Sequence, residues 1–121
     1  MNKIYHLSSC TTCQRVLQET GAVKKGIVLQ DIKTEKISPA QLDEMKERAG
    51  SYEALFSRRA IKYKELRLKD QSLTEADYRR LILEEYTFLK RPVALVGNQV
   101  FVGSEKKAVV GLAEALAKQA L

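Results

Sequence analysis

The stretch "IYHLSSCTTCQRVLQETG", residues 4–21, decides how the rest of the chain is read. Its first part lies in "KIYHL" (Lys3–Leu7), which is short, β-branched and aromatic and predicts a strand. After a loop, Thr11 or Thr12 is placed to cap a helix. The apolar positions of that helix include Val16 and Leu17, and Gly21 is suited to end it. At the joint between strand and helix stand Cys10 and Cys13, the two cysteines of the chain, with its one histidine, His6, four residues earlier.

Outward from this stretch the pattern continues. Gly26 opens "GIVLQDI", a second strand. "SPAQLDEMKERAG" has a strong helix start, with Ser38 as cap, Pro39 at the first position and Gly50 past the end. "SYEALF" reads as a short helical piece. "SLTEADYRRLILEEY" is a helix with Thr74 as cap and Asp77 three residues on. "LKRPVALVGNQVFVG" holds a hairpin, two apolar runs around Gly97-Asn98. "SEKKAVVGLAEALAKQAL" is an amphipathic helix with Ser104 as cap. The order is strand, helix, strand, several helices, hairpin, helix. The first βαβ unit implies parallel pairing and the hairpin supplies antiparallel pairing. The expectation is one α/β domain over residues 1–121, a thioredoxin/glutaredoxin-like mixed sheet. Its core covers about residues 1–34 and 88–121, with a helical insert over about 35–87 between the second and third strands.

The bulk numbers agree with a single globular domain. The chain has 121 residues, 45% hydrophobic and 30% charged. No apolar run approaches the roughly 20 residues that span a bilayer, and "MNKIYHLSSC" lacks the apolar core of a signal peptide. A cytoplasmic protein is expected, and there a static structural disulfide is disfavoured. The net charge of +6 favours acidic partners or oxyanions. The densest basic patch, "FSRRAIKYKELRLK" (Phe56–Lys69), lacks the motif context of a nucleic-acid site and reads as a solvated face.

Two thiols three residues apart can hold a metal, form inert core, or do redox chemistry. A zinc site normally needs four ligands, and the chain offers one histidine and no second cysteine pair. A strand, Cys-x-x-Cys and helix in a βαβ setting is the redox context. The helix N-terminus favours thiolate over thiol, and Cys10 gains most from it. Cys13, one turn on and on the same side, is placed to attack a mixed disulfide on Cys10. Arg91-Pro92 enters the hairpin where thioredoxin-like folds carry a cis-proline facing the redox cysteine. Arg91 would then bring a guanidinium to the thiolate and offer a fork for an oxyanion or carboxylate; otherwise it is a surface residue before a strand-opening proline. On spacing alone His6 is as readily a structural strand residue as a support for the thiolate.

On "IYH…C", "LFSRRAIKYKEL" and "LKRPVALVGNQVFVG", the chain resembles the ArsC/Spx family nearly end to end. That family comprises glutaredoxin-coupled arsenate reductases, Spx regulators and YffB-like proteins. The resemblance implies a thioredoxin-like sheet with an inserted helical subdomain, Cys10 as nucleophile, His6 assisting it, and Arg91 and Pro92 as the oxyanion-facing arginine and cis-proline. The family's arsenate reductases use three arginines around the cysteine. Counting from "YKEL" puts the first at Glu53, and counting from "RP" puts the third at Gly103, so Arg91 remains; Arg58 and Arg59 are the nearby candidates to substitute. Each charge-assisted pair is worth about 1.5–3 kcal/mol, so an arsenate dianion on one arginine binds far more weakly. The reductases also usually carry one cysteine in the loop and an arginine four residues after it, where this chain has Gln14. The Cys-x-x-Cys pair is more similar to Spx, a redox switch that binds RNA polymerase. Gly50, one residue out of register, and Arg59 correspond to a contact glycine and a switch arginine there.

The expected function is that of a thiol–disulfide redox protein of this family, with no bound cofactor and with glutathione/glutaredoxin or thioredoxin as electron donor. Its substrate would be a small thiol, an oxyanion or a protein disulfide. A monomer that contacts neither nucleic acid nor membrane is expected. The alternative is an Spx-like regulator that binds RNA polymerase under redox control.

Overall fold

The computed structural model describes residues 2–119. Along them run β1 (Lys3–His6), α1 (Thr11–Thr20), β2 (Val28–Asp31), α2 (Pro39–Ala49), α3 (Ile61–Glu65), α4 (Glu75–Glu84), β3 (Val93–Val96), β4 (Gln99–Val102) and α5 (Lys106–Gln119), with 3-10 turns at Glu53–Leu55, Leu68–Asp70 and Tyr86–Phe88. The chain forms two compact units. One is built from its two ends, up to Glu35 and from Arg91 onward, and the other from Lys36–Lys90.

The first unit is a mixed α/β structure around a four-stranded sheet in the order β2-β1-β3-β4. β1 pairs parallel with β2, in a register that sets His6 opposite Asp31. It pairs antiparallel with β3, and β3 antiparallel with β4. The central strands are therefore the apolar ones. All four residues of β3 are buried, as are Ile4, Tyr5 and His6 of β1, while Val28 and Leu29 on the edge strand β2 stay exposed. The hairpin turns at Gly97, whose φ of +59° at the first central position is that of a type II′ turn. The Gly97 N–H donates to the Asn2 side chain at 3.0 Å.

α1 buries Cys13, Val16, Leu17 and Thr20, the i, i+3, i+4, i+7 stripe of an amphipathic helix. Past its end Gly21 is left-handed; its N–H bonds the Gln18 carbonyl and the Ala22 N–H the Leu17 carbonyl, a complete Schellman motif. Leu17 and Ala22 then join Ile4, Ala94, Val96, Val109, Leu112 and Leu116 in a core that packs α1 and α5 on one sheet face. Gly111 in α5 lets that helix approach β4, because a Cβ there would lie 2.8 Å from the Phe101 ring.

In the helical unit, α2 and α4 each begin with a capping box, Ser38 with Gln41 and Thr74 with Asp77. The Glu75 carboxylate accepts the N–H groups of Tyr52 and Glu53 and so fixes the first 3-10 turn. Asp43 accepts two hydrogen bonds from Arg79, at 2.8 and 3.1 Å, and one from the Tyr52 hydroxyl. These bonds, led by Arg79, hold its carboxyl down at about 2. Phe56 packs among Tyr63, Tyr78 and Phe88.

Two expected caps move by a residue or two. Helix α1 starts at Thr11, so Cys10 itself is the N-cap; its carbonyl accepts the first helical bond, from the Gln14 N–H. Helix α5 starts at Lys106, and Glu105 rather than Ser104 accepts the Val109 N–H. The expected last helix ran to residue 121, and residues 120 and 121 lie outside the described ones. The strand expected over 26–32 is shorter, since Gly26 turns at φ +69° before it begins. "SYEALF" contains a single 3-10 turn. The basic stretch after it is broken into a β-bridge at Phe56, α3 and a further 3-10 turn, held by the aromatic cluster and not by a continuous periodic pattern.

Candidate active site

β1 ends at His6, a loop of three residues follows, and Cys10 caps α1. The loop is closed from within, because the Cys10 N–H donates to the Leu7 carbonyl at 3.0 Å. Both cysteines are free thiols; Cys10 is half-buried and Cys13 is 0% exposed. No cap hydrogen bond of standard geometry closes on the Cys10 sulfur. It is nevertheless surrounded by donors. Burial opposes its thiolate, but the Cys13 N–H, the Cys13 thiol, the Thr12 N–H and the Arg91 charge outweigh burial and bring its pKa below the ordinary thiol value. Cys13 goes the other way. Burial, then its thiol's hydrogen bond to Cys10 and the Cys10 charge, push it up to about 11 against the Leu7 N–H and Arg91.

Arg91 precedes a cis peptide bond to Pro92, at the entry to β3. Pro92 is buried, and its carbonyl accepts the Gly103 N–H at 2.8 Å. Thus Cys10, Cys13 and Arg91 act on one another at the β1–α1 joint. Gly103, where a third family arginine would stand, has a left-handed φ of +85°, which favours glycine. In the helical unit, Glu53 pairs with Arg58 at 2.8 Å, and Arg58 also donates to the Tyr78 hydroxyl. The guanidinium expected to stand in for an absent arginine is therefore engaged by the acid that occupies that arginine's place. Arg59 is exposed, its N–H on the Ser57 hydroxyl.

His6 is 8% exposed, and its Nδ1 is buried without a hydrogen-bond partner among the described residues. It stands opposite Asp31 in the register of β1 and β2. Asp31 accepts a hydrogen bond from the Ser8 hydroxyl and another from the Lys33 N–H at 3.0 Å. On the other side of the loop the Gln14 side chain donates to the Ser8 carbonyl at 3.3 Å. Sequence reasoning passed over Ser8 and Asp31. The signal for Asp31 was the βαβ unit itself: parallel strands bring their C-terminal ends to one edge of the sheet, where ligands gather.

A mixed sheet in this order, with a Cys-x-x-Cys at the N-terminus of the helix after its first strand, is a thioredoxin-like fold. The chain matches the ArsC family model over residues 5–112 and belongs to the ArsC family. Solved structures share the fold. An arsenate reductase from Vibrio cholerae is 23% identical with a TM-score of 0.73, the match covering 92% of this chain and 96% of that one. A structure described as YFFB protein is 20% identical with a TM-score of 0.77, covering 93% and 99%. A Staphylococcus aureus protein is 25% identical with a TM-score of 0.69, covering 89% and 94%. No curated protein sequence matches the chain. Among the described residues, no helix is long and apolar enough to cross a membrane.

Proposed function

We propose that this ArsC-family protein is a thiol–disulfide reductase in which Cys10 attacks and Cys13 resolves. The observation that carries the reading is the placement of two neighbouring thiols: Cys10, half-buried at the N-cap of α1, and Cys13, fully buried on the same helix three residues on. The Cys10 thiolate attacks one sulfur of a substrate disulfide, forms a mixed disulfide, and expels the other sulfur as thiolate. Cys10 is then uncharged. The hydrogen bond to it and its charge, two of the causes that hold the Cys13 proton, are gone. The Leu7 N–H and Arg91 still favour the Cys13 thiolate. Cys13 gives up its proton, attacks the Cys10 sulfur and expels the second substrate thiolate. Two electrons from glutathione/glutaredoxin or thioredoxin return the Cys10–Cys13 disulfide to the dithiol. Arg91 stabilises the attacking thiolate.

Arsenate is a poor substrate in this reading. Arg58 is held by Glu53, and Gly103 carries no charge, which leaves Arg91 as the arginine acting on Cys10. The test is turnover of a small disulfide with glutathione, followed by mass analysis of the cysteines. Cys10→Ser should abolish turnover, and Cys13→Ser should accumulate a mixed disulfide on Cys10. Full activity in Cys10→Ser overturns the proposal. A redox-switched binding protein is the second reading, favoured by the exposure of Gly50 and Arg59. It requires capture of an RNA polymerase subunit in one redox state of the pair and fails if neither state binds.

A further inference from the structure

The loop that carries the nucleophile is exposed at Ser8 and Ser9, and exposed loops are ordinarily the loosest parts of a fold. Here the loop is tied on both sides. Gln14 of α1 holds the Ser8 carbonyl at 3.3 Å. From β2, Asp31 accepts the Ser8 hydroxyl and the Ser8 N–H. Asp31 is itself fixed. It ends β2 opposite His6, its second oxygen takes the Lys33 N–H, and its carbonyl takes the Glu35 N–H at 2.8 Å. The Ile32 N–H on the His6 carbonyl, at 2.9 Å, carries the β1–β2 ladder past the strand end.

We propose that Asp31 is a positioning residue for Cys10, acting through Ser8 to hold the loop so that the Cys10 sulfur stays on the donors at the start of α1. This rests on the reading of Cys10 as the nucleophile. The groups at the helix start that favour the Cys10 thiolate are the N–H groups of Cys13 and Thr12 and the Cys13 thiol, and their influence is short-range. A displacement of about 0.5 Å is enough to degrade a site of this kind. Any effect of the Asp31 charge on Cys10 would oppose its thiolate, so a favourable effect of Asp31 has to come from position. The charged and titratable groups acting on Asp31 and Cys10 are His6, Cys13 and Arg91.

The opposite signs of charge and position give the test. The rate of Cys10 alkylation by iodoacetamide is followed against pH in the full chain, with the label mapped by mass. Ser8→Ala leaves every charge in place, and Ser8 is exposed, so the protein folds. Its Cys10 midpoint should rise, with about a threefold to tenfold loss of thiolate at pH 7, a change of roughly 0.5–1 pH unit. Ser8→Thr should restore it, and Asp31→Ala should also raise it. An unchanged midpoint in Ser8→Ala, or a lowered one in Asp31→Ala, overturns the proposal. A wild-type Cys10 that already titrates like an ordinary thiol overturns instead the reading on which it rests.

Discussion

Loss of the Cys10 charge, when Cys10 attacks the substrate and becomes a mixed disulfide, is what frees Cys13, and a single substitution imitates that event. Cys10→Ser leaves Cys13 as the chain's one cysteine beside an uncharged neighbour. Burial above all pushes Cys13 up to about 11, against 9.0 for an ordinary thiol, which corresponds to about 2.7 kcal/mol between its two protonation states. Burial is the largest cause and survives the substitution, and the serine hydroxyl can still accept the Cys13 S–H, while the Cys10 charge is lost. Removing a like charge at hydrogen-bond distance should lower the Cys13 value by about one pH unit. At pH 7 that gives about tenfold more thiolate. Nucleophilicity falls with basicity at a slope of about 0.4–0.5, so the net gain in attack rate is about threefold. The cysteine Cβ chemical shift of isotope-labelled protein, followed by NMR against pH, reads the value directly. If Cys13 still titrates at about 11 in Cys10→Ser, burial alone holds its proton, and the release step is wrong.

Three further outcomes follow from the packing and the charges. The raised Cys13 value means stability is fully present below about pH 9 and is lost as pH rises toward about 11, by up to about 2–3 kcal/mol; urea midpoints against pH should fall less steeply over that window in Cys13→Ala, and parallel curves would refute the assignment. Asp43 is depressed to about 2, so its contribution is present above about pH 4 and is lost as pH falls through its folded value; Asp43→Asn should flatten the acid limb of the melting curve, and an unaltered limb counts against the Arg79 pairing. Gly111→Ala should destabilise by about 1 kcal/mol, since overpacking against Phe101 costs about 1–3 kcal/mol and helix propensity returns about 1 kcal/mol; in a Phe101→Leu background the same change should stabilise, and a gain in the wild-type background refutes the clash.

The sequence by itself determined the order of elements, because each is announced locally. Ser38-Pro39 and Thr74 with Asp77 start their helices, Gly21 ends one, Gly97 turns the hairpin, and β3 reads as an unbroken apolar run. It also located the two thiols at a helix start, since Cys-x-x-Cys spacing and helix geometry are both short-range. Tertiary structure decided what those thiols experience. Cys10 proved to be the cap because the first helical bond forms on its own carbonyl, a matter of loop closure that the choice between Thr11 and Thr12 could not express. The two cysteines diverge because β1, α1 and the Arg91 entry bury one and leave the other half-open. Ser8 and Asp31 meet only through the parallel register of β1 and β2, 23 residues apart in sequence. Glu53 takes up Arg58 through the turns of the helical unit. Such contacts depend on where distant strands and turns are brought together, and local spacing carries no record of that.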